Sequence, residues 1–90
     1  MKYRTRAEIV LSMLRAMKES PQGIKRTRLM YMSFLSYSQV AEYTEFLEQK
    51  GLLTSTPSPE PRETFVYRIT EKGIKALEPL ESIEEFVKAS

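Results

Sequence analysis

Along the first third of the chain, Ile9, Val10, Met13, Leu14 and Met17 recur at three- and four-residue intervals, the spacing that brings apolar side chains onto one face of a helix. Thr5 and Glu8 frame its start as a T-x-x-E capping box, each side chain taking an amide that the first helical turn leaves unpaired. Ser20-Pro21-Gln22-Gly23 stops that helix. A second, shorter one fits 26–32, with Leu29, Met30 and Tyr31 inward and basic residues near its start. Ser36-Tyr37-Ser38-Gln39 is an S-x-x-Q box, after which Val40, Tyr43, Thr44 and Leu47 mark one helical face as far as Lys50-Gly51. Gly51 suits the left-handed position that closes a helix. Only Ser33, Phe34 and Leu35 separate the second helix from the third, so the pair makes a helix-turn-helix.

Beyond Gly51 the period changes from helical to extended. The segments 52–55 and 64–69 are rich in β-branched and aromatic residues and read as a hairpin. Pro57, Pro59 and Pro61 fall between them at alternate positions, where they withhold ladder hydrogen bonds and stiffen the tip. Thr70 caps a last helix carrying Ile74, Leu77, Leu80, Ile83 and Val87. Pro79 interrupts it: the helix either kinks there or stops and restarts, and the S-x-x-E pair Ser82 and Glu85 favours a restart. The predicted fold is mainly α with a small β-hairpin, a winged helix-turn-helix domain over 1–78 followed by a helical extension over 79–90.

Several short pieces carry a resemblance. Thr27-Arg28-Leu29-Met30-Tyr31, Leu35-Ser36-Tyr37, Glu48-Gln49-Lys50-Gly51-Leu52-Leu53 and Tyr67-Arg68-Ile69-Thr70-Glu71-Lys72-Gly73 stand at a joint spacing that resembles the archaeal winged helix-turn-helix family that includes the Sulfolobus chromatin-associated protein Sso10a. The resemblance covers nearly the whole chain and implies a DNA-binding protein, with dimerisation through the carboxy-terminal helix in some members. In the turn, where that family tends to carry a small residue and an asparagine, this chain has Ser33 and Phe34.

Composition narrows the chemistry. The 90 residues include no His, Cys or Trp, and every one of the 12 acidic residues is Glu. Thiolate metal sites, disulfides and histidine general bases are thereby excluded, and no spacing of the remaining Glu, Ser, Tyr and Lys groups them into a catalytic site. The expectation is a non-enzyme without cofactor or metal. With 41% apolar and 29% charged residues, no apolar run of the ~18 residues that span a bilayer and no signal-peptide block, the sequence reads as soluble and cytoplasmic. Abundant Glu, Lys and Arg with few Asn, Gln and Cys suggest a thermophile. The formal net charge of +2 hides an asymmetry. Residues 1–28 hold eight Lys/Arg against two Glu, and 29–90 hold six against ten.

The candidate DNA contacts follow from that asymmetry. In a helix-turn-helix the first helix crosses the phosphate backbone, which selects Lys25, Arg26, Thr27 and Arg28, while the first residues of the second helix meet base edges, which selects Tyr37, Ser38 and Gln39. Two readings of Gln39 stay open: a bidentate contact to adenine, or service in the capping box. Tyr37 likewise either meets DNA or leans into the core. Opposite the apolar face of this helix lie Ser38, Glu42, Glu45 and Gln49, and the two carboxylates argue against deep insertion among phosphates. On the wing, Arg62 suits a minor groove but is flanked by Glu60 and Glu63. Leu80, Ile83, Phe86 and Val87 exceed what a small domain needs to bury, and suggest a homodimer interface. The alternative to DNA is a winged helix that binds protein, with Glu42 and Glu45 facing the partner.

Overall fold

The computed structural model describes residues 5–58 and 65–89, and Thr5 caps its first element. The Thr5 hydroxyl accepts from the Glu8 amide at 3.1 Å and the Glu8 carboxylate accepts from the Thr5 amide at 3.0 Å. That reciprocal cap starts α1 (Arg6–Lys18) where the sequence places it. Ile9, Met13, Leu14, Ala16 and Met17 on its inner face enter the core.

The next element was not anticipated. Ile24–Lys25 forms a two-residue strand, β1, too short to show any periodicity. The helix α2 (Arg26–Ser33) follows at once, with Leu29 buried and Met30 half-buried. Tyr31 does not turn inward as expected but stands 74% exposed. At 100° per residue it lies about 200° around the helix from Leu29, on the far side. Phe34 closes α2 in the left-handed region at φ 56°, a conformation disfavoured for a residue with a β-carbon. Ser33 beside it is fully buried, and among the described residues its hydroxyl has no hydrogen-bond partner.

The second capping box also forms. The Gln39 amide donates to Ser36 Oγ at 3.2 Å, the Ser36 amide donates to Gln39 Oε1 at 3.0 Å, and α3 runs Tyr37–Gln49. Gly51 then ends the helix at φ 75°, so that the amides of Gly51 and Leu52 reach back to the carbonyls of Glu48 and Leu47 at 3.0 and 2.9 Å. The chain turns into β2 (Leu53–Pro57), and β3 (Phe65–Ile69) returns antiparallel, paired from Leu53 opposite Ile69 to Pro57 opposite Phe65. Pro57 is thus the last residue of β2 rather than part of the tip. β1 adds to the other side of β3, with Ile24 opposite Tyr67, so the expected hairpin is a three-stranded sheet of order β1-β3-β2. The hairpin tip, including Arg62, lies outside the described residues.

Thr70 joins the two ends of the domain. Its hydroxyl accepts from the Gly73 amide at 3.0 Å, capping α4 (Glu71–Ala89), and donates to the Gly51 carbonyl at 2.6 Å. Contrary to the expected restart, α4 continues through Pro79, and Ser82 and Glu85 lie within it rather than at a new start. A proline ring forfeits a backbone bond and crowds the carbonyl one turn before it, and the packing of α4 against α1 on both sides of Pro79 holds the helix together. Leu77 is fully buried before it. After it, Arg15 of α1 donates to Glu84 at 2.8 Å and Lys18 to Glu81 at 3.2 Å, and Lys88 adds a pair to Glu84 within α4. Lys88 first, then Arg15, hold the Glu84 carboxyl below the usual carboxylate range. Whatever stability Glu84 contributes is therefore complete at neutral pH and is lost as pH falls through its lowered value.

Candidate nucleic-acid interface

The amino termini of α2 and α3 meet at one residue. Arg26 is the first residue of α2, and its guanidinium donates to the Tyr67 hydroxyl through Nε at 2.9 Å and through Nη2, and to the Tyr37 hydroxyl through Nη1 at 3.1 Å. Tyr37 is the first residue of α3 and Tyr67 the middle of β3, so one side chain ties both helices of the helix-turn-helix to the sheet. The Arg26 guanidinium carbon also lies 5.5, 5.9 and 5.7 Å from the ring centres of Tyr37, Phe65 and Tyr67, within cation–π range. Burial works against its charge, but the hydrogen bonds to Tyr67 and Tyr37 outweigh that, and its pKa is raised. It remains a full cation.

This placement changes the role assigned to Arg26. Three of its five donor hydrogens are committed within the chain, so it is a fastener before it is a phosphate ligand. Its neighbours are differently placed. Thr27 and Arg28 are exposed and Lys25 is half-buried, and Arg28 has no hydrogen bond or ion pair among the described residues. Lys25 precedes α2 in an extended conformation, with no side-chain capping bond.

On α3, Tyr37 does not lean into the core: it is 61% exposed, with its hydroxyl held by Arg26. Ser38 and Gln39 are exposed as well. Ser38 Oγ sits 3.3 Å from Ser36 Oγ. The Gln39 carbonyl oxygen is engaged by the cap, whereas its amide hydrogens have no partner among the described residues. The bidentate adenine contact, which needs that oxygen as an acceptor, is therefore compromised, and Gln39 is left as a donor toward an acceptor on a base edge. Glu42 and Glu45 are exposed on the same helix, as the period requires.

Sequence reasoning missed Tyr67 and Phe65. Their signal was the two-residue spacing, which puts both on one face of β3, and their rings lie 6.5 Å apart. They line, with Arg26, Thr44, Glu45, Glu48 and Ser55, a groove of about 260 Å³ between α3 and the sheet, across which the Ser55 hydroxyl donates to Glu48 at 2.7 Å. At the far side of α3, the Arg6 guanidinium lies 4.7 Å from the ring centre of Phe46 and 5.7 Å from that of Tyr43, so α1 is anchored to α3 as well as to α4. Leu80 is half-buried on α4, while Ile83, Phe86 and Val87 are exposed, Phe86 by 76%.

A helix-turn-helix whose second helix is followed by an antiparallel wing defines the class of the fold. The chain belongs to the winged helix-turn-helix family, whose profile it matches over residues 3–88. No curated protein matches the sequence at a significant level. Among solved structures, it is similar to the PcaV transcriptional regulator from Streptomyces coelicolor, with TM-score 0.77 and 24% identity over 82% of this chain and 54% of that one. It is also similar to MepR of S. aureus in complex with DNA, with TM-score 0.76 and 20% identity over 89% of this chain and 65% of that one. The transcriptional repressor CouR bound to a 23-mer DNA duplex gives TM-score 0.73 and 23% identity over 89% of this chain and 54% of that one. The chain therefore spans between 54% and 65% of the length of these regulators, and the likeness is one of fold. No helix among the described residues is long and apolar enough to cross a membrane.

Proposed function

We propose that the chain is a non-enzymatic, cytoplasmic DNA-binding protein that acts on duplex DNA as a transcriptional regulator or a nucleoid-associated chromatin protein. The observation that carries this reading is that Arg26 joins the first residues of α2 and α3, with Thr27 and Arg28 exposed and Lys25 half-buried beside it. A cluster of cations then flanks the first turns of α2 and α3, an arrangement suited to a phosphate backbone. MepR and CouR, which have this fold, are DNA-bound in their structures. Lys25, Thr27 and Arg28 contact phosphates, Ser38 and the Gln39 amide reach base edges, Tyr37 lies between the two sets, and Arg62 on the wing tip adds a further cation. The T-R-L-M-Y and L-S-Y pieces and the Glu/Lys-rich composition support membership of the archaeal chromatin-associated group and a thermophilic source.

Titrating duplex DNA at several ionic strengths is expected to give a steep fall of log affinity with log salt, with a slope of about −0.9 for each phosphate neutralised. Arg28→Glu should weaken binding to every duplex by about tenfold and flatten that slope. If no complex forms even at low salt, DNA binding is excluded and the protein-binding alternative, with Glu42 and Glu45 exposed on α3, takes its place.

The carboxy-terminal half of α4, residues 79–90 in this reading, is a dimerisation element attached to a 1–78 domain. Glu81 and Glu84 face α1, which leaves Ile83 and Phe86 pointing away from the chain's own core toward a second copy. Leu80 and Val87 border the same stripe. Two modules joined by a twofold axis would bind paired half-sites and offset a weak single contact. Phe86→Glu should convert a dimer into a monomer in sedimentation, and a mass that stays dimeric would reject this interface.

A further inference from the structure

The described residues expose six large apolar side chains, in two groups. Ile83, Phe86 and Val87 lie on α4. The others, Tyr31, Phe34 and Tyr37, are all aromatic and all lie on the helix-turn-helix: the last turn of α2, the turn itself and the first residue of α3. Phe34 is the most exposed, at 84%, and it occupies a left-handed backbone position that glycine or asparagine would fill with less strain. The ring lies outside the buried core, whose inward positions here are taken by Leu29, Leu35 and Val40.

The surroundings of these rings are cationic. Arg28 stands one turn before Tyr31 on α2, exposed, and Arg26 holds the Tyr37 hydroxyl at 3.1 Å. The carboxylates of α3, Glu42 and Glu45, come later in the helix, on the part that a major groove would have to accept. The molecule is thus most favourable to nucleic acid at the α2–α3 corner and least favourable along the face that reads paired bases. Exposed rings beside cations are the elements that receive unpaired bases, because every base offers a π-face once it is out of the helical stack.

We infer that Tyr31, Phe34 and Tyr37 form a stacking surface for unpaired nucleobases, so that the protein prefers melted or single-stranded DNA over a fully paired duplex. This rests on the DNA-binding reading above and adds the state of the DNA to it. The neighbouring cations favour a nucleic acid over an apolar protein surface as the occupant.

Fluorescence anisotropy with the full chain separates the outcomes, using a paired duplex, the same duplex with a central unpaired bubble, and oligothymidine, all at one ionic strength. The bubble and the oligothymidine are expected to bind at least about tenfold more tightly than the paired duplex, the gain from stacking one or two bases. Phe34→Ala and Tyr31→Ala should remove that preference while leaving duplex affinity and its salt dependence as they were. Phe34→Asn, which suits the left-handed turn, should do the same in a chain at least as stable, so a folding defect cannot imitate the result. Equal affinity for paired and unpaired probes would overturn the stacking surface and leave duplex binding intact. A preference that survives all three substitutions would overturn it too, by placing the effect elsewhere. Failure to bind any of the three probes would reject the DNA-binding reading itself.

Discussion

Gly73→Ala is expected to lower the stability of the protein by about 2–3 kcal/mol, the upper part of the range of about 1–3 kcal/mol for forcing an extra group into a filled site. Elsewhere in a helix the same change adds about 1 kcal/mol of stability, so the sign is the test. A β-carbon on Gly73 would overlap the Leu52 carbonyl oxygen and approach Ile69 Cγ1 to 2.7 Å. The backbone of Leu52 is held on both sides. The Leu52 carbonyl accepts from the Thr70 amide at 3.1 Å, and its own amide closes α3 on Leu47. Relief would have to come from separating α4 from the α3–β2 junction, which would break the Thr70 bonds to Gly51 and Gly73. Chemical denaturation should show a lower midpoint with an unchanged slope, and for a domain of this size the melting temperature should fall by roughly 10–20 °C. An unchanged or raised midpoint would mean that the junction is looser than its contacts imply.

Arg26→Ala should damage both folding and DNA binding. The Tyr67 hydroxyl, on a side chain only 2% exposed, would lose its donors, at a cost of about 1–3 kcal/mol, and the three cation–π contacts would go with them. The first residue of α3 would then lose its tie to the sheet, while the Ser55 bond to Glu48 farther along the helix would remain, so the change would loosen the start of α3 in particular. The informative comparison is with Arg26→Lys and Tyr67→Phe. A lysine keeps the charge but lacks the planar fork that reaches two phenols at once. If Arg26 works by holding Tyr37 and Tyr67, the lysine variant and Tyr67→Phe should each bind duplex about tenfold or more weakly, with the salt slope of the parent protein. If it works as a phosphate ligand, lysine should restore most of the affinity, Tyr67→Phe should be mild, and Arg26→Ala should reduce the slope by about one.

The helices were legible in the sequence because their signals are local. Thr5 with Glu8 and Ser36 with Gln39 announce their own hydrogen bonds, and Gly51 and Thr70 mark ends that the backbone then obeys. What was not legible depends on residues far apart in the chain. β1 exists because β3 offers an unpaired edge next to Ile24, not because two residues favour a strand. Arg26 read as a phosphate contact alongside Lys25, Thr27 and Arg28, since nothing in its own neighbourhood reports that Tyr67, 41 residues later, will stand beside it. Pro79 misled for the opposite reason. Its local preference to break a helix is real, but the core contact at Leu77 and the ion pairs of Glu81 and Glu84 bracket it, and tertiary packing overrides the single lost backbone bond.

The first helix touches both ends of the working molecule. Arg6 at its start lies against Phe46 of the recognition helix, and Arg15 and Lys18 at its end hold the carboxy-terminal half of α4. Between them runs a straight strut of roughly 18 Å. A tilt of about 10° imposed where α4 meets α1 would become a sideways displacement of about 3 Å at the other end, comparable with the spacing of successive bases along DNA. A shift of the last helix that carried α1 with it would therefore reach α3 at Phe46.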